Sequence, residues 1–143
     1  MNTKELKTAF NFAATELEKV QRYETEISES LANGGQVDND IVVGYAKVIN
    51  SYCDALDLME NFGKEQVLYE KSLDLLSRYG SAHPEQINIK MMTIIKYAQV
   101  LWKQKKYKKS GEALKEAVSY MLDNLKDLSC DPVDINFIKK QLP

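Results

Sequence analysis

Glycine and proline are scarce in this 143-residue chain, six of one and three of the other, and most of them cluster between long periodic runs. A sandwich or barrel of short strands needs turn signals about every ten residues. That class is excluded, and helices are favoured. Histidine occurs once and cysteine twice, with no Cys-x-x-Cys and no HExxH or ExxH pair. Zinc, thiol-redox and di-metal bundle sites need such ligands at fixed spacing, so no metal or other cofactor is expected. Cys53 reads as a small residue inside a helix and Cys130 as a free loop thiol. Apolar runs stay well short of the roughly 18–20 residues that span a bilayer, and a membrane is not expected as a partner. The first twenty residues carry scattered charge in place of the apolar core of a secretory signal, which makes cytoplasm the expected location.

Catalytic signals are missing as well. His83 stands beside Pro84 in an expected turn, with no Cys, Ser or carboxylate at a suggestive spacing, and reads as a turn residue. Gly34-Gly35 lacks the flanking strand and the Lys-Ser/Thr of a phosphate loop. The expectation is a protein that is not an enzyme and has no catalytic residues.

What is present is the make-up of an ordinary globular domain, 44% hydrophobic and 28% charged. The formal charge of −2 is unevenly spread, at −2 for residues 1–32, −4 for 33–80 and +4 for 81–143. Such a dipolar molecule can steer a charged partner or meet a second copy head to tail.

Apolar residues at helical spacing predict one long helix over 3–32, from Leu6, Phe10, Ala13, Leu17 and Val20. A second is expected over about 40–61 with Asp38 or Asp40 as its N-cap. Gly63 marks a turn in this reading, a third helix runs to about Tyr79, and Gly80 stands where a C-cap glycine is expected. Pro84 opens a fourth helix to about Gln104, a fifth spans about 105–125, and DPVDINFIKKQL holds a short sixth.

Two of these stretches echo each other at a spacing of 45. Ile49, Tyr52, Cys53, Leu56, Phe62, Glu65, Tyr69 and Ser72 recur as Ile94, Tyr97, Ala98, Leu101, Tyr107, Ser110, Leu114 and Ala117. Internal repeats of this length mark stacked helix pairs, in which small residues let neighbouring helices approach.

In these residues the chain resembles the tetratricopeptide repeat family, whose units are antiparallel helix pairs, A and B. Tyr97, Ala98 and Leu101 match helix A, and Tyr107, Ser110, Leu114 and Ala117 match helix B. The long period and the turn Gly80-Ser81-Ala82-His83-Pro84 are similar to the kinesin-light-chain-like subgroup. Glu65 departs from the pattern by filling a small-residue position, which predicts a local splay of that pair. The resemblance implies an all-α fold of antiparallel pairs stacked as a short superhelix. Its parts are a leading helix at 3–32, repeat units at 41–80 and 84–128, and a capping helix at 132–142. A plain antiparallel helical bundle is the alternative.

The family uses its concave groove to bind peptides or helices of partner proteins, so the resemblance implies a protein-binding scaffold. Carried over position by position, the groove residues are Lys47, Asn50, Asp54 and Asp57, then Met92, Ile95, Gln99, Trp102 and Lys103. Met92, Ile95 and Trp102 would supply apolar contact, and Lys103 with Asp54 and Asp57 would select charge. Trp102 follows the core residue Leu101 and is rotated about 100° from it on a helix. It either faces the groove or is covered as core by the N-terminal helix or a neighbouring subunit. The aspartates disfavour a terminal-carboxylate ligand and suit an amphipathic helix or a mixed-charge peptide. Two rivals remain: a self-assembling homo-oligomeric unit, and a nucleic-acid regulator using Lys103, Lys105, Lys106, Lys108 and Lys109. The sequence pI near 5.5 makes nucleic acid the weaker of the two.

Overall fold

The computed structural model describes residues 2–80 and 83–124, which fold into five α-helices and, among the described residues, no strand. They are α1 (Thr3–Ala32), α2 (Asn39–Leu58), α3 (Phe62–Arg78), α4 (Pro84–Lys103) and α5 (Tyr107–Asp123). The expected cap at 132–142, the loop thiol Cys130 and the last residues of the second unit lie outside the described residues.

Local chemistry accounts for the helix ends. Asn2 opens α1 with a capping box: its side chain accepts from the Glu5 amide at 2.8 Å while the Glu5 carboxylate accepts from the Asn2 amide. Gly34 and Gly35 both adopt positive φ and turn the chain toward α2. Asp38 holds the N-cap position of α2 without a side-chain cap bond. At α4 the imidazole Nδ1 of His83 accepts from the Glu85 amide, and Pro84 occupies the first turn, where its missing N–H goes unneeded. His83 is thus a capping residue.

Two turn readings need correction. Gly63 lies inside the first turn of α3, with open space around it, and the chain reverses instead at 59–61. Gly80 follows the Tyr79 C-cap but does not take the left-handed conformation. Its small size is needed because a Cβ there would lie 2.3 Å from the Leu76 carbonyl oxygen.

The repeat extends to backbone geometry. At 59–61 the Asn61 amide donates to the Leu56 carbonyl at 2.9 Å and the Glu60 amide to that of Asp57 at 3.0 Å. Forty-five residues on, the Lys106 amide donates to Leu101 at 2.9 Å and the Lys105 amide to Trp102 at 2.9 Å. Each set is a Schellman motif. In both, the left-handed residue carries a side chain, Glu60 at φ 56° and Lys105 at φ 64°. Glycine would hold this conformation without the Cβ clash that costs about 1 kcal/mol. Glu60→Gly and Lys105→Gly should therefore each stabilise the fold, by up to about 0.5 kcal/mol after the added entropy of the unfolded chain is subtracted, and so raise the urea midpoint. A fall in either midpoint would contradict the shared motif.

Consecutive helices run antiparallel, and the contacts fix their register. On α1 and α2, Tyr45 donates to Glu24 at 3.4 Å, and a Cβ on Gly44 would overlap the Tyr23 ring, so α2 passes close to α1 there. Between α4 and α5, Ser110 Oγ donates to the Ala98 carbonyl at 2.7 Å. The equivalent crossing of α2 and α3 brings the Cys53 thiol 4.0 Å from the Glu65 carbonyl. Both sites join the same two repeat positions, with the donor moved from helix B to helix A. Between α2 and α4, Asn50 meets Thr93, Asp54 meets Lys96 and Asp57 meets Lys103. Partner numbers rise together, so these two helices lie side by side and parallel. The result is an all-α stack of neighbouring pairs, α1 on α2, α2 on α3, α3 on α4 and α4 on α5.

Most repeat positions land in the core. Ile49, Tyr52, Cys53, Leu56, Glu65, Tyr69 and Ser72 are buried, as are Ile94, Ala98, Leu101, Ser110 and Ala117. Phe62, Tyr97 and Leu114 are half-buried, and Tyr107 departs furthest. Assigned to the core by its match to Phe62, it is 51% exposed.

Candidate functional site

The nine residues carried over from the family pattern fall on the exposed rim of α2 and α4 or directly beneath it. Lys47, Asp54, Met92, Gln99, Trp102 and Lys103 are exposed and Asp57 is half-buried. Two are less available. Asn50 is buried between the helices, its amide 3.4 Å from Thr93 Oγ1, because the parallel pair closes over this level. Ile95 is half-buried against the clusters that join α4 to α5, since its position on the helix turns it toward α5.

Charge on this face is arranged differently from the sequence reading. Asp54 and Asp57 do not stand free to select a ligand's charge. Lys96 Nζ reaches Asp54 at 2.8 Å, and Lys103 Nζ contacts both Asp57 oxygens at 2.6 and 2.7 Å. Lys103 also lies 5.5 Å from the centre of the Phe62 ring. These pairs tie α4 to α2, and being partly open to solvent they contribute modest net stability.

Beneath the second pair lies Glu65. Only 2% exposed, it leaves Oε2 without a hydrogen-bond partner. Burial pushes its carboxyl up to about 8, helped by the negative charge of Asp57 and a hydrogen bond to it, while Lys103 pulls the other way. Glu65 is accordingly protonated near neutral pH. Around it, burial raises the Tyr69 hydroxyl and pushes the Cys53 thiol up to about 12, so both stay neutral. A thiol held in that form is a packing group, not a nucleophile.

Trp102 is 62% exposed, so the N-terminal helix α1 does not cover it as core. Its ring meets that of Tyr107 edge to face, with centroids 4.5 Å apart and planes at 67°. Trp102 occupies the repeat position of Asp57, and Tyr107 that of Phe62. An ion pair and a half-buried ring in the first unit are thus replaced by two exposed aromatics in the second.

The lysine run beside them is partly committed. Lys103 pairs with Asp57, Lys106 donates to Gln66 Oε1 at 2.7 Å, and Lys109 lies 3.8 Å from Glu70. Burial alone would raise the Glu70 carboxyl, but hydrogen bonds from Tyr97 and Gln66 and the nearby lysines bring it below its usual value. Three of the five lysines thus tie α4 to α2 and the start of α5 to α3, which leaves fewer of them to track a phosphate backbone.

The sequence reading missed Tyr107, placed in the core by analogy, and Glu65, treated only as a packing defect. It also gave no sign of an open depression of about 570 Å³ between α1 and the α2–α3 turn, lined by Phe10, Leu17, Tyr52, Met59 and Lys64 among others. Among the described residues no group of three His, Cys, Asp or Glu side chains is placed to hold a metal ion. No described helix is long and apolar enough to cross a membrane. No family model, curated protein or solved structure matches the chain.

Proposed function

We propose that this chain is a non-catalytic, cytoplasmic protein-interaction module of the tetratricopeptide-like kind, a scaffold that holds a peptide or helix of a partner protein across α2 and α4. The observation that carries the reading is the exposed Trp102, braced edge-on by Tyr107. An aromatic fixed in place loses little side-chain entropy on binding and offers a large apolar surface, as binding anchors do. Met92 extends the apolar strip along α4, and Lys47 and Gln99 give it polar edges. Because Asp54 and Asp57 are already paired with lysines, the favoured ligand is the apolar side of an amphipathic helix. The 45-residue duplication in sequence, turns and crossing geometry supports the repeat-family part of the reading.

Selection from a displayed library of amphipathic peptides tests this. Peptides enriched on the wild type should bind Trp102→Ala about 30-fold more weakly, corresponding to about 2 kcal/mol. Equal binding to both proteins, or no enrichment on the wild type, would count against the anchor.

A further inference from the structure

In the second unit, polar side chains seal the seam between α3 and the α4–α5 turn. Gln104 and Lys106 both donate to Gln66 Oε1 of α3, at 2.8 and 2.7 Å. Beside them the Glu70 carboxylate accepts from the Tyr97 hydroxyl at 2.7 Å and lies 3.8 Å from Lys109 Nζ.

The same seam in the first unit, between α1 and the α2–α3 turn, is open. The 45-residue step places Tyr52, Met59, Asn61 and Lys64 where Tyr97, Gln104, Lys106 and Lys109 stand. A step of 52 (62 − 10) aligns Phe10, Ala13 and Leu17 of α1 with Phe62, Glu65 and Tyr69 of α3. By that second step Ala14 holds the place of Gln66, and Glu18 that of Glu70. Ala14, Met59 and Asn61, the counterparts of the three bridging side chains, all border the depression of about 570 Å³. Ala14 is too short to cross the seam and Met59 has no donor, so the polar filling is lost and the lining becomes mostly apolar. Its volume lies within the roughly 300–1,000 Å³ usual for small-molecule sites.

Two donors of the sealed arrangement are retained without their acceptor. Lys64 forms no ion pair among the described residues and lies instead 5.4 Å from the centre of the Tyr52 ring. Tyr52 is only 3% exposed, yet its hydroxyl has no hydrogen-bond partner among the described residues. Glu18 is exposed and forms no hydrogen bond or ion pair with either.

We propose that this depression binds a small aliphatic carboxylate. The head group meets Lys64 Nζ and the Tyr52 hydroxyl, as the Glu70 carboxylate meets Lys109 and Tyr97 in the second unit. Hydrogen bonds to an ionised partner are the stronger kind, and here both donors converge on one place. The chain of the ligand lies on Phe10, Leu17 and Met59, where the second unit has its polar bridge. Glu60, exposed on the same rim, repels further negative charge, so the ligand carries a single carboxylate.

Titration of the full chain with decanoate, followed by methionine-methyl NMR, tests this. The Met59 resonance should shift to saturation while that of Met92, exposed on α4, stays. Ala14→Gln installs the residue that fills the seam in the second unit. It should melt close to the wild type and bind decanoate about tenfold more weakly, as should Lys64→Gln. Decylammonium has the same chain and the opposite charge, and the wild type should hold it about tenfold more weakly than decanoate. An unmoved Met59 signal, undiminished binding by either variant, or equal binding of the two amphiphiles would overturn the proposal. Met59 and Met92 moving together without saturation would overturn it too, by showing adsorption to any exposed apolar side chain.

Discussion

Glu65→Gln should make the protein more stable above pH 8 and remove much of its pH dependence between about pH 5 and 8. The carboxyl is buried between α2 and α3, raised to about 8 by that burial and by Asp57, and leaves one oxygen without a partner. In the unfolded chain it titrates near its ordinary value of 4.5. Between these values the folded state holds a proton that the unfolded state has lost. Stability from this group is therefore fully present below pH 4.5 and declines as pH rises to about 8, where the loss levels off. A tenfold difference in proton affinity between the two states corresponds to about 1.4 kcal/mol. After allowance for relaxation around the buried charge, a loss on the order of 2–3 kcal/mol across the window is expected. Glutamine keeps the shape and carries no charge, so the variant should show a flatter profile in urea titrations from pH 5 to 9. Parallel profiles for the two proteins would show that Glu65 is not protonated in the fold. Serine, which holds the equivalent place in the second unit, is a poorer probe because it would leave a void where glutamate now packs.

The same residue shows why the helices are legible in the sequence and the electrostatics are not. Helix positions follow from apolar spacing and from Pro84 and Gly34-Gly35, because those signals are local and the stack agrees with them. The duplication is equally plain, since identical crossings demand similar residues at a fixed interval. Partners across helices are a different matter. That Lys96 and Lys103 neutralise Asp54 and Asp57 depends on the parallel placement of α2 and α4, which no local pattern encodes. Asn50 has the helical phase of a rim residue, but Thr93 of α4 closes over it. Tyr107 departs from its expected place for a related reason. Its repeat mate Phe62 is partly covered, with Lys103 of α4 over its ring. At the end of the described stack no helix plays that part for Tyr107, so a core-type residue becomes a surface one.

Neighbouring residues on α4 should separate stability from binding. Leu101 is fully buried and packs with Ile94 and Ala98 of its own helix and Ala113 and Ala117 of α5. The small residues around it allow close helix approach but cannot expand into a vacancy. Leu101→Ala should therefore cost about 3–4 kcal/mol, the lost transfer free energy plus a cavity that remains open. In a domain of this size that lowers the melting temperature by roughly 10 °C. Trp102 points about 100° away, and its described aromatic contact is the edge of Tyr107. Losing that contact costs about 0.5–1.5 kcal/mol at most, and truncating an exposed side chain adds little. Trp102→Ala should thus melt within a few degrees of the wild type while losing peptide affinity, whereas Leu101→Ala should lose stability first and bind normally well below its melting temperature. A large thermal loss in Trp102→Ala would place the indole in the packing of the stack and move the search for a ligand anchor elsewhere on the surface.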